Sequence, residues 1–121
     1  MIMRERKESL ALKEETVVRA IRRKVRVGLH PTGTELQEVI ELAAEKLPQF
    51  VSRIRELYPA VSQSNILLCV LTRLGFSPKE QAVAIGISQQ AVSNRRRRLN
   101  RLLFSKTSGT KSFGYNILHL R

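Results

Sequence analysis

The stretch from Ser77 to Leu103, SPKEQAVAIGISQQAVSNRRRRLNRLL, admits few folded forms. Ser77, Pro78 and Glu80 predict a helix start, because the serine oxygen can cap a free N–H, proline suits the first helical position, and Glu80 can reach back to close a capping box. The helix should end near Ile85, since Gly86 adopts a left-handed conformation without a Cβ penalty, and Ser88 can cap a second helix two residues later. Ala82 is small enough for two helices to cross closely, with Ile85, Ile87 and Val92 supplying the apolar contacts. The expected element is therefore a helix-turn-helix.

The second helix carries Gln89, Gln90, Ser93, Asn94 and Arg97 away from Val92, within the run Arg95 to Arg98. Amides and guanidinium groups on an exposed helix can read base edges in a major groove, so these five residues are the candidate base readers. Lys79, Arg95, Arg96, Arg98 and Arg101 are the candidate phosphate contacts. Four consecutive arginines advance ~100° per residue and cannot all face one partner. Arg95 or Arg96, nearest the Val92 to Leu99 stripe, should lay its methylene stem on the core and send its charge outward. A helical pair with a solvated basic face is the bland alternative.

Charge supports a polyanionic partner. The chain has 22 Lys and Arg against 10 Asp and Glu, a formal charge of +12. Residues 1–60 carry 12 basic against 9 acidic residues, whereas residues 61–121 carry 10 against 1. The excess thus falls in the half containing the helical pair, as phosphate neutralisation would require. A membrane surface would call for a basic amphipathic segment with exposed aromatics, which the arginine-rich helix lacks. The longest apolar run, Ile66 to Leu71, is far below the ~20 residues needed to span a bilayer. Arg4 to Glu8 occupy the place where a secretory signal would turn apolar. One cysteine permits no internal disulfide, and a cytoplasmic setting is expected. No metal-ligand cluster, phosphate loop or nucleophile motif is legible, so neither cofactor nor enzymatic activity is expected.

The remaining chain reads as helical. Residues 1–30 form a charged helix or arm with Leu10, Val17, Ile21 and Val25 near one stripe; it is open whether this stripe pairs with a second copy or frays in solvent. Residues 31–60 predict amphipathic helices broken at Pro48, one ending near Lys46 and the next running through about Leu57. Thr34 and Gln37 offer a capping box for the first. Residues 61–121 hold the helical pair, preceded by a central core helix capped at Ser62 and containing Cys69 as a buried small hydrophobe. SKTSGTKS reads as a loop, and Phe113, Ile117 and Leu120 could share one face of a tail helix. His30 and His119 have no second ligand near in sequence.

PQFVSRIRELYP followed by LLCVLTRLGFSPKEQAVAIGISQQAVSNRRRRL resembles the C-terminal DNA-binding region of LuxR-type bacterial regulators. It is most similar to the form attached to membrane-anchored sensors with tetratricopeptide repeats. The similarity spans about Phe50 to Leu103 and is weaker through Ile117. Its most specific parts are Leu68-Cys69, the spacing from Gly75 to Ser77, Lys79, Glu80 and Ala82, and Ile87-Ser88 followed by Val92. The resemblance implies an all-α domain of the winged-helix-like DNA-binding superfamily, with the helix from about Ser88 to Leu103 in the major groove. By position it matches Gln89, Gln90, Ser93, Asn94 and Arg97 to groove-lining residues and Lys79 to a phosphate contact. Gln81 departs from the family's apolar residue, and Asn65 from the acidic residue that completes a cap.

A bacterial transcriptional regulator is the function this implies, with double-stranded DNA as partner. One small module reads few bases, so a homodimer on a repeated or inverted site is expected. Upstream of Phe50 no receiver domain, repeat array or membrane helix is legible. A sigma-factor-like promoter reader would need a second, DNA-melting domain. A module docking on RNA polymerase or another regulator is the rival from a different class.

Overall fold

A computed structural model describes residues 2–104 and 113–120, with side chains from residue 7 onward. Among the described residues all regular structure is helical, in eight elements: α1 (Ile2–Lys13), α2 (Thr16–Arg26), α3 (Gly33–Lys46), α4 (Pro48–Leu57), α5 (Gln63–Arg73), α6 (Pro78–Ile85), α7 (Gln89–Phe104) and α8 (Phe113–Leu118). The SKTSGTKS loop lies outside the described residues.

α5 forms the centre because its sequence leaves it no polar face. Every residue from Ile66 to Arg73 is buried, and α3, α6 and α8 pack around it. The Ser62 hydroxyl accepts from the Asn65 N–H at 3.1 Å, as expected of the cap. Cys69 is fully buried, and burial raises its thiol pKa to about 12, leaving it protonated and unreactive at neutral pH. Pro48 divides α3 from α4 where its ring forbids a continuous helix. Phe113 and Ile117 of α8 are buried, with Leu120 packed beside them.

Three expectations are corrected. Residues 4–27 form two helices, not one, and neither is an unpacked arm. The break at Glu14 and Glu15 turns α2 so that Val17, Val18, Ile21 and Val25 are buried, with α3 and α6 packed against the helix. In α1 the buried apolar residue is Leu12, whereas Leu10 is 63% exposed. The cap of α3 lies two residues earlier than expected. Thr32 Oγ1 accepts from the Glu35 N–H at 3.0 Å, and Glu35 Oε1 accepts from the Thr32 N–H at 2.8 Å. Glu35 also accepts from Lys24 Nζ at 2.7 Å, a charged contact that Gln37 could not make, and this ties α2 to α3.

Arginines serve as internal ties. Arg73, only 7% exposed, reaches Ser9 Oγ of α1 at 3.4 Å and the Ile117 carbonyl of α8 at 3.3 Å, with its guanidinium over the Phe50 ring of α4. Arg22 of α2 donates to the Leu74 carbonyl at 3.0 Å and lies 4.1 Å from the Phe76 ring centre. It thereby satisfies a carbonyl at the C-terminal end of α5 and positions the entry to α6.

Candidate nucleic-acid interface

α6 starts as its sequence dictates. Ser77 Oγ accepts from the Glu80 N–H at 3.1 Å, Glu80 Oε1 accepts from the Ser77 N–H at 2.8 Å, and Pro78 occupies the first turn. Gly86 ends it at φ 83°, with the Gly86 and Ile87 amides both donating to the Ala82 carbonyl. This left-handed position is what permits the sharp reversal. A Cβ at Gly86 would overlap the His30 ring, whose Nε2 lies 2.7 Å from that point. His30 therefore lies against the turn. Ser88 Oγ then accepts from the Ala91 N–H at 3.0 Å, so only three residues separate α7 from α6.

α7 separates into two faces. Val92, Leu99 and Leu103 are buried, anchoring the helix against the core. At ~100° per residue, Gln90, Asn94, Arg97 and Arg101 fall within about 60° of one another on the opposite side, flanked by Ser93 and Arg98. These six and Gln89 are all exposed. Gln90 Nε2 donates to Asn94 Oδ1 at 3.0 Å, and Arg97 Nη1 approaches the same oxygen at 3.4 Å. The amides and the guanidinium thus form one polar strip. No Asp or Glu occurs in α7, nor anywhere after Glu80, so no side chain on this helix neutralises the arginines.

All five candidate base readers are therefore exposed, with Gln89 set ~60° from Val92 and apart from the strip, and of the candidate phosphate contacts Lys79, Arg98 and Arg101 are also exposed. Arg95 is half-buried, and its Nη1 donates to Ser64 Oγ of α5 at 2.8 Å. It lines a cleft with Arg98 and Ser62.

Arg96 does not send its charge outward, contrary to the expectation for the stripe-side arginines. It lies ~40° from Val92 around the helix, and its Nη1 donates to Thr72 Oγ1 and Gln81 Oε1, each at 3.1 Å. Its guanidinium also faces the Phe113 ring at 5.1 Å. Burial lowers its pKa from the ordinary guanidinium value. The partners that turn it inward are Thr72 and Gln81. Fully buried, Gln81 donates to Thr72 Oγ1 at 2.9 Å and to the Phe76 carbonyl at 3.0 Å. Thr72 Oγ1 donates in turn to the Leu68 carbonyl at 2.8 Å. A satisfied network thus joins α5, α6 and α7. Among the described residues no buried side-chain polar atom lacks a partner.

One basic surface escaped the reading of the sequence. α2 carries Arg19, Arg22, Arg23, Lys24 and Arg26 with no acidic residue, a bias hidden when the first sixty residues are averaged with Glu14 and Glu15 before it and the acidic α3 after it. The usable signal is the 19, 23, 26 spacing, which puts three arginines on one stripe.

No protein-family model matches the chain, and no curated protein or solved structure matches it. Among the described residues no helix is long and apolar enough to cross a membrane, and no three His, Cys, Asp or Glu side chains cluster as metal ligands.

Proposed function

We propose that this chain binds double-stranded DNA with sequence preference, placing α7 in the major groove, and acts as a bacterial transcriptional regulator of the LuxR type. The observation that carries the reading is the division of α7 between an anchored apolar face and an exposed strip of Gln90, Asn94, Arg97 and Arg101 without a carboxylate. A rigidly held helix can keep such side chains in register with base edges. Gln89, Gln90, Ser93, Asn94 and Arg97 read bases in this account. Lys79, Arg95, Arg98 and Arg101 meet phosphates, and Arg96 holds the helix pair together from inside.

One such module is a small interface, and two copies on paired half-sites would supply the affinity a regulator needs. A cytoplasmic homodimer is the form proposed, with RNA polymerase as its downstream contact. The test is fluorescence anisotropy on mixed-sequence duplex across a salt series. Binding should weaken by about 0.9 logarithmic units per decade of salt for each phosphate neutralised. Arg101→Ala should lower that slope, whereas Asn94→Ala should leave it unchanged. Absence of duplex binding at low salt, together with capture of polymerase, would replace this reading with a protein-docking module.

A further inference from the structure

A second basic surface lies outside α7. Lys13, Glu14, Arg19, Arg22, Arg23 and Arg26 line an open groove of about 630 Å³ whose other wall is Leu74 and Gly75, at the junction of α5 and α6. Five cations face one carboxylate. Arg22 is held by the Leu74 carbonyl and the Phe76 ring. Arg19, Arg23 and Arg26 are exposed, and none of the three forms an ion pair with a described residue.

The stripe has the dimensions of an extended polyanion. The seven steps from Arg19 to Arg26, at ~1.5 Å rise each, carry the charges over about 10 Å, which spans about three phosphates at ~3.4 Å of axis per strand. The groove also adjoins the proposed interface. Its wall at Gly75 leads through Phe76 and the Ser77 cap directly to Lys79, the phosphate candidate on the first turn of α6. α2 packs against α6, and the chain beyond α2 brings His30 onto the turn at Gly86. The basic stripe thus runs beside the supporting helix rather than on an unrelated face.

We infer that this groove holds the phosphate backbone of the same duplex beyond the bases read by α7, with Arg19, Arg23 and Arg26 as its contacts. This rests on the DNA reading of α7 and extends its footprint to α2. Arg22 is the positioning residue of the groove. A protein containing only the helical pair would lack this contact.

The test compares the intact chain with Arg19→Gln/Arg23→Gln and with a charge-matched control, Arg53→Gln/Arg55→Gln, on α4. Arg53 lies near Leu103, at the C-terminal end of α7. Affinity for a 30-base-pair duplex is measured between 50 and 200 mM salt. Two lost phosphate contacts remove about 1.8 from the salt slope, so that salt increase should weaken the parent roughly 12-fold more than the α2 variant. Arg19→Lys/Arg23→Lys should restore the slope, since a phosphate needs only a point charge. An unchanged slope in the α2 variant, or an equal loss in the control, would overturn the inference while leaving α7 binding intact. Binding of poly-glutamate that the α2 variant loses, with duplex binding unaffected, would assign the groove to an acidic protein instead. If the parent binds no duplex even at 50 mM salt, the DNA reading itself fails.

Discussion

Gln81→Leu gives the most incisive perturbation of the helix pair, because leucine places an apolar side chain of similar size at the buried position while removing every polar atom of the amide. In the parent, Gln81 accepts from Arg96 and donates to Thr72 and to the Phe76 carbonyl, with its side chain fully buried. Loss of the bond to a charged donor costs about 1.5–3 kcal/mol, and a buried carbonyl left without a donor costs about 1–3 kcal/mol. Leucine recovers about 1–2 kcal/mol through burial. The expected net loss is about 3 kcal/mol, between extremes of about 0.5 and 5 kcal/mol, a fall in urea midpoint of about 1.5 M at an m-value of ~2 kcal/mol/M. Equilibrium unfolding followed by far-UV circular dichroism measures it. Arg96→Met alone should also destabilise, and the double variant should be less destabilised than the two losses added, with a coupling of about 1–2 kcal/mol. Stability within 0.5 kcal/mol of the parent for Gln81→Leu, or strict additivity with Arg96→Met, would refute the network as the tie between α6 and α7.

Gly86→Ala should destabilise by about 1–2 kcal/mol, the cost of a left-handed Cβ-bearing residue; His30→Ala in the same chain should relieve only the steric share, and full rescue in urea unfolding would show that the backbone conformation is not the cause. Glu35 titrates below its ordinary value of 4.5, chiefly through its hydrogen bond to Lys24, then through the Thr32 amide. Its ionised form therefore favours the folded chain above pH 4.5, and that contribution disappears as pH falls through the lowered folded pKa. The stability difference between parent and Glu35→Gln should shrink over this window, and a difference that grows on acidification would contradict the assignment. With its pKa raised to about 12, Cys69 should resist iodoacetamide at pH 8 in the folded chain and react on unfolding in urea. Modification of the native chain at the rate of a free thiol would place Cys69 outside the core.

Local chemistry made much of the fold legible. Ser77 with Glu80, Ser62, Pro48 and Gly86 each act within four residues of themselves, so their spacing predicts the boundaries of α4, α5, α6 and α7. The polar side of α7 was also readable, because Val92, Leu99 and Leu103 fix which way the helix faces. What sequence could not supply were choices made by distant partners. Arg96 turns inward because Thr72 and Gln81 offer oxygens from two other helices. Thr32 outcompetes Thr34 as a cap because Glu35 can also reach Lys24. Leu12 is taken into the core in preference to Leu10 because the break before α2 resets the helical phase. The α2 arginine stripe was visible in the spacing, but only the groove against Leu74 and Gly75 sets it beside α6.

The most direct measurement of the central claim is selection of the purified protein against a random duplex pool at near-physiological salt, repeated with Gln90→Ala. The account predicts an enriched motif whose information falls at the positions Gln90 reads, with a loss of about 1–3 kcal/mol on the preferred site. Paired half-sites in that motif would report the dimer. Salt-sensitive binding that enriches no sequence, or an identical motif from parent and Gln90→Ala, would contradict the assignment of the Gln90, Asn94 and Arg97 strip as a base reader.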